Sequence, residues 1–136
     1  MFMPEGFTNV TPYLIVNDAP RLIHFLTQAF GAEELGRSPR PDGSISNAQM
    51  SIGNAMLMLG EGTEKYPSKK ASLYLFVEDA EHTVKTAIEC GAKLEFAVAD
   101  MPYGDRQGAV IDPCGNTWWI SQRLVDEPYY KKENSY

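Results

Sequence analysis

The chain is poor in the residues that most often carry chemistry. Only two histidines, His24 and His82, and two cysteines, Cys90 and Cys114, occur among 136 residues. Two cysteines this far apart make neither a disulfide framework nor a zinc motif. Cys90 falls at a helix end, where it reads as a small buried apolar residue, and Cys114 falls in a turn, as an exposed thiol without a role. Basic residues are also scarce: 12 Lys and Arg stand against 18 Asp and Glu, for a net charge of −6. Such a balance argues against a nucleic-acid partner, which needs clustered Lys and Arg; the pairs Lys69-Lys70 and Lys131-Lys132 fall in loop and tail. No apolar run approaches the roughly 20 residues that span a bilayer, and Met1 to Glu5 lacks the order of a signal peptide. The reading is a cytoplasmic protein with no membrane partner.

What the chain does have is a repeat. Thr11-Pro-Tyr-Leu-Ile-Val-Asn-Asp18-Ala19 is echoed by Ser72-Leu-Tyr-Leu-Phe-Val-Glu-Asp79-Ala80, and each copy runs through a helical stretch into Gly-Ala, at Gly31-Ala32 and Gly91-Ala92. Duplication constrains the fold before any chemistry is considered. The chain is long enough for two half-sized modules sharing a core, and too short for two independent domains.

Residues 8–16 alternate and read as a strand, with Thr11, Tyr13 and Ile15 on one face and Pro12, Leu14 and Val16 on the other. Asp18 then supplies an N-cap, Pro20 fits the first helical turn, and apolar residues follow at helical spacing until Gly31. Strands are predicted over 33–37, 45–52 and 55–59. A polar linker, 60–70, leads to a second strand (71–77), a helix capped by Asp79 with Ala80, Val84, Ala87 and Ile88 on one face, and strands over 93–98, 107–111 and 117–122. The expectation is one α+β domain of two βαβββ modules, residues 8–60 and 71–123, followed by a tail, 124–136, that frays or lies on a neighbouring surface. Curved mixed sheets would enclose a cavity, with the helices on the convex side.

The Val-x-Asp-Ala signature before the first helix, Ala29-Phe-Gly-Ala-Glu33 at its end, Tyr103-Gly-Asp-Arg106 and Asp112-Pro-Cys-Gly-Asn116 together resemble the vicinal oxygen chelate superfamily. That superfamily comprises glyoxalase I, bleomycin-resistance proteins and extradiol dioxygenases, and the likeness is nearest to its small PhnB-like bacterial branch. The resemblance covers residues 8–122 and implies a homodimer with cavities assembled from modules of both chains. Its metal enzymes hold a divalent ion with four side chains, which by motif fall on Thr11, Met58, Ser72 and Trp119; the register after Gly53-Asn54 leaves Leu57 as an alternative to Met58. None of the four replaces a His or carboxylate, so no metal cofactor is expected.

Alternation from Thr11 and Ser72 puts Tyr13, Ile15, Tyr74 and Phe76 on the cavity side, with Met58 and Trp119 from the last strands and Asn47 and Gln49 as amides. An aromatic wall with a few orienting polar groups has the composition of a small-molecule pocket. Arg106, with Asp105, either orients an anionic ligand or gates the pocket, although an Asp105–Arg106 pair that pins the loop is the favoured role. Trp118 should face its own helix as core. The expected function is metal-independent binding of an aromatic or antibiotic-like ligand in a dimer cavity. The alternatives are a metal-dependent lyase, isomerase or dioxygenase with a non-standard site, and a structural dimer whose cavity its own side chains fill.

Overall fold

A computed structural model describes residues 1–130 of the chain. Its elements run β1 (Tyr13–Val16), α1 (Ala19–Phe30), β2 (Glu33–Pro39), β3 (Ile45–Ile52), β4 (Ala55–Glu61), then β5 (Ser72–Phe76), α2 (Ala80–Glu89), β6 (Lys93–Asp100), β7 (Asp105–Ile111) and β8 (Thr117–Arg123). Two four-stranded sheets result, ordered β1-β4-β3-β2 and β5-β8-β7-β6. In each, the first strand pairs parallel with the last while the other neighbours run antiparallel. The fold is α+β, and the repeat seen in the sequence is a repeat of topology.

Local signals set the helix ends. The Asp18 carboxylate accepts the Arg21 amide at 3.2 Å and Asp79 accepts the His82 amide at 3.0 Å, each meeting one donor that a helix start leaves unpaired. Gly31 closes α1 at φ 67°, a left-handed conformation that glycine adopts without Cβ strain. The first strand is shorter than the predicted 8–16 and starts at Tyr13. Before it, the Thr8 and Thr11 hydroxyls bond the backbone of Val10 and Thr8, and Pro12 has no amide to give the ladder.

The two modules share a core. Leu14 and Val16 of β1 are buried beneath Leu22, Phe25 and Leu26 of α1, with Met50, Leu57 and Leu59 from the same sheet. In the second module Val84, Ala87, Val110, Trp118 and Ile120 belong to the same cluster. Phe30, at the end of α1, meets the Trp118 ring at a centroid distance of 5.0 Å. Trp118 is therefore core, as expected, but it packs on the helix of the other module. Ile88, expected on the buried face of α2, is instead 41% exposed. His24 and His82 are exposed on their helices.

The turn motif Asp112 to Asn116 is structural. Its buried Asp112 carboxylate accepts the amides of Cys114 and Asn116, the Asn116 side chain and the Trp118 indole N–H at 2.8 Å, and the Asn116 Oδ1 accepts the Ala71 amide at 2.9 Å. One carboxylate thus fixes the turn, the core tryptophan and the entry to β5. Cys114 is half-buried in this turn, and burial, with the Asp112 charge, pushes its thiol up to about 11. It stays protonated and unreactive near neutral pH. No helix among the described residues is long and apolar enough to cross a membrane.

Candidate functional site

Each sheet covers its helix with one face and leaves the other open. On the first open face the register aligns Tyr13, Met58 and Gln49 across β1, β4 and β3, and Gly36 continues the row on β2. The next row holds Ile15, Gly60 and Asn47. The Asn47 amide lies 3.7 Å from the Met58 sulfur, and Gln49 donates to the Asn47 side-chain oxygen. A Cβ on Gly60 would come within 2.4 Å of the Ser46 carbonyl and meet the Tyr13 hydroxyl. Its absence lets the strands close beneath Tyr13. Beside this row a pocket of about 270 Å³ is lined by Tyr13, Ile15, Arg40, Glu61, Thr63 and Tyr66, its Arg40 held by Ser44 and the Glu61 carbonyl.

On the second open face the rows are Ser72 with Thr117, Tyr74 with Trp119 and Ala109, Phe76 with Ser121 and Gln107, and finally Arg123 with Asp105. The Trp119 indole donates to the Ser72 hydroxyl at 2.8 Å and its ring meets Phe96 at 5.6 Å. At the far end sits a charge: Asp105 is 0% exposed. One of its oxygens pairs with the Arg123 guanidinium at 2.9 Å; the other accepts the hydroxyls of Ser121 at 2.7 Å and Tyr74 at 3.0 Å, and that of Tyr129. Burial by itself pushes the Asp105 carboxyl up, but hydrogen bonds from Tyr129, Arg123, Ser121 and Tyr74 outweigh it and hold the group at about 2. A directional chain completes the cluster, from the Tyr103 hydroxyl to Gln107 and from the Gln107 amide to the Tyr74 oxygen. Burial pushes the Tyr129 and Tyr103 phenols up, the first helped by its bond to Asp105 and the second by the neighbouring Tyr74 and Asp105, so both remain donors.

The residues singled out in the sequence divide into three groups. Tyr13, Asn47, Gln49 and Met58 meet on the first open face, and Ser72, Tyr74, Phe76 and Trp119 on the second. Thr11 precedes β1, its hydroxyl turned to the Thr8 carbonyl, and Met58 pairs with Tyr13 instead. Arg106 is on neither face. It pairs in the ladder with Gln122, whose side chain caps the start of α2 through the Ala80 amide, and its guanidinium binds Asp100 at 2.8 Å.

The expected Asp105–Arg106 pair does not form, because adjacent strand residues point to opposite faces. β7 begins two residues before its predicted start, which brings Asp105 into the ladder opposite Arg123. Gln107, Ser121, Arg123, Tyr103 and Tyr129 were not among the predicted residues. Extending the alternation from Trp119 along β8 would have reached Ser121 and Arg123.

The four side chains at the positions implied for a metal include neither a His nor a carboxylate. The four positions implied for a metal hold Thr11, Met58, Ser72 and Trp119; the last two bond each other, and Asp105, the one buried carboxylate nearby, is already paired. Among the described residues no three His, Cys, Asp or Glu side chains converge. What the open faces present is aromatic: Tyr13 is 53% exposed, Tyr74 48% and Phe76 55%. A groove of about 470 Å³ runs along the seam between β1 and β5, walled by Tyr13, Met56, Ser72 and Tyr74 and, on its core side, by Leu57 and Trp118.

Two βαβββ modules with paired open faces define a class, and the comparison of sequences gives it a name. The chain belongs to the Glyoxalase/Bleomycin resistance protein/Dioxygenase superfamily, whose profile matches residues 7–120. An uncharacterised protein of Mycobacterium bovis is 33% identical over 124 residues, covering 83% of this chain and 82% of that relative. Among solved structures, TnmS3, an antibiotic binding protein from a Streptomyces species, superposes with a TM-score of 0.68 at 21% identity, over 86% of this chain and 97% of that one. A glyoxalase-related enzyme from Fulvimarina pelagi superposes with a TM-score of 0.71 at 17% identity, over 88% and 91%. At these identities the two structures speak for the fold alone.

Proposed function

We propose that this protein binds a small planar or aromatic molecule, antibiotic-like in its chemistry, between open faces brought together in a homodimer, and that it does so without a metal. The observation that carries the reading is the half-exposed aromatic surface of Tyr13, Tyr74 and Phe76, on faces that among the described residues leave no buried side-chain polar atom without a partner. Large apolar surface left open in this way marks a binding site, and flat aromatic faces attract planar rings and cations. TnmS3, described as an antibiotic binding protein, shares the fold. Within the superfamily we assign the chain to the PhnB-like branch, and, from its two free cysteines, to the cytoplasm.

A metal-dependent lyase, isomerase or dioxygenase would need a Lewis acid to hold the substrate's oxygens, and no described donor set favours one. The test is a fluorescence and thermal-shift titration of the full chain with a panel of planar aromatic compounds. Trp119, partly exposed on the second open face, is the reporter. Saturable quenching that disappears in Trp119→Phe is expected. No quenching and no thermal shift with any compound would overturn the reading.

A further inference from the structure

The chain does not leave the second open face after β8. The Arg123 guanidinium, anchored on Asp105 and the Tyr103 carbonyl, also donates to the Glu127 carbonyl at 3.2 and 2.8 Å. Residues 124–128 therefore loop around it. The Leu124 amide bonds the Gly104 carbonyl at 2.9 Å, and a Cβ on Gly104 would come within 2.8 Å of Val125. This strap turns Tyr129 back onto the sheet. Its ring lies under the Arg123 guanidinium, 4.3 Å from carbon to centroid, and 6.3 Å from both Phe76 and Tyr103, and its hydroxyl donates to the buried Asp105. A tethered phenol thus sits on an aromatic wall, read by one carboxylate and stacked on one cation.

We propose that Tyr129 is a built-in occupant of a hydroxyaryl subsite, and that a ligand bearing a phenolic ring displaces it, donating its own hydroxyl to Asp105 and stacking on Arg123. The inference extends the reading of this face as a ligand site and rests on it. Three observations favour displaceable occupancy over a simple anchor. The ring is only half covered, at 52% exposure. Beside the ring, with Tyr129 as one wall and Tyr74, Phe76 and Tyr103 as the others, about 490 Å³ stands open, enough for a ligand of ordinary size to approach it. Asp105 keeps three donors from Arg123, Ser121 and Tyr74 when Tyr129 leaves, so displacement does not strand a buried charge.

The test uses p-cresol, the tyrosine side chain as a free molecule, with toluene as the control that lacks the hydroxyl. Full-length Tyr129→Ala should bind p-cresol about tenfold more tightly than the wild type does, and p-cresol about tenfold more tightly than toluene, the size of one hydrogen bond to a charged group. In the wild type, saturating p-cresol should speed chymotrypsin cleavage after Tyr129 while toluene does not, a readout that needs no variant. Equal p-cresol affinity in the two proteins, equal affinity for p-cresol and toluene, or cleavage indifferent to p-cresol would each overturn the proposal. A wild type that binds other planar aromatics but fails these p-cresol tests loses the subsite alone, whereas one that ignores every aromatic compound, p-cresol included, loses the broader reading with it.

Discussion

The two open faces share a topology and differ in what holds them. The first is a neutral lattice of Tyr13, Met58, Gln49 and Asn47, whose contacts are an amide pair and a weak N–H to sulfur approach. The second is organised around a buried carboxylate with an arginine and three hydroxyls. The helix-facing sides differ in the opposite sense. Leu14 and Val16 are fully buried under the large side chains of α1, while their counterparts Leu75 and Val77 are only half-buried beside an α2 whose buried residues are Ala80, Val84 and Ala87. The first module thus supplies most of the apolar core, and the second carries a charged network that a marginal core alone would not require. Duplicated scaffolds keep what folding needs; the faces that folding leaves open are free to diverge.

The contrast can be broken at its strongest point. Asp105→Asn leaves Arg123 partly buried without its counter-charge and should lower unfolding stability by about 3 kcal/mol in urea titration, while Gln49→Ala on the first face should cost less than about 1 kcal/mol. Similar losses at both positions would erase the distinction. The core asymmetry has its own test: Leu14→Ala should destabilise by about 3 kcal/mol and Leu75→Ala by about half as much, since less apolar surface is withdrawn from water there.

A gentler probe is pH. The Asp105 carboxyl is held at about 2 in the folded protein, below the roughly 3.9 of an unfolded chain, so the stability it contributes is fully present above about pH 4 and is lost as the pH falls toward 2. Wild type should lose stability across that window more steeply than Asp105→Asn; parallel curves would show that the network does not hold the charge. The smallest expected effect is at Trp119. Trp119→Phe should change stability by less than about 1 kcal/mol, because the ring is partly exposed and loses one hydrogen bond to Ser72, while weakening any aromatic ligand.

Much of this was legible in the sequence because local rules and tertiary packing agreed. The capping aspartates, Gly31 and the alternation of Tyr13 with Leu14 each have a local physical cause, and each holds in the fold. The open-face residues Tyr13, Tyr74 and Phe76 followed from alternation, and Trp119 from the last-strand motif that the family resemblance carries. Arg106 misled because the predicted strand began at residue 107, which left Asp105 and Arg106 in a loop where they could pair; in β7 the two alternate, and Asp105 is the one that faces the site. The importance of Asp105 was not legible, since a buried charge is defined by partners 16 to 31 residues away in sequence. The strap was hidden for the same reason. A polar tail with tyrosines has no periodicity, and nothing local predicts that Arg123 will gather the Glu127 carbonyl and seat Tyr129. Residues 131–136 of the predicted tail, Lys131-Lys132 among them, lie outside the described residues.

The central claim is that ligand meets the aromatic open faces. Mapping a bound planar aromatic by NMR shift changes in the full-length protein tests it most directly. The Trp119 indole and the rings of Tyr13, Tyr74 and Phe76 should shift while Ile88 and Leu94, exposed beside α2, stay still. Shifts confined to Ile88 and Leu94 would contradict it.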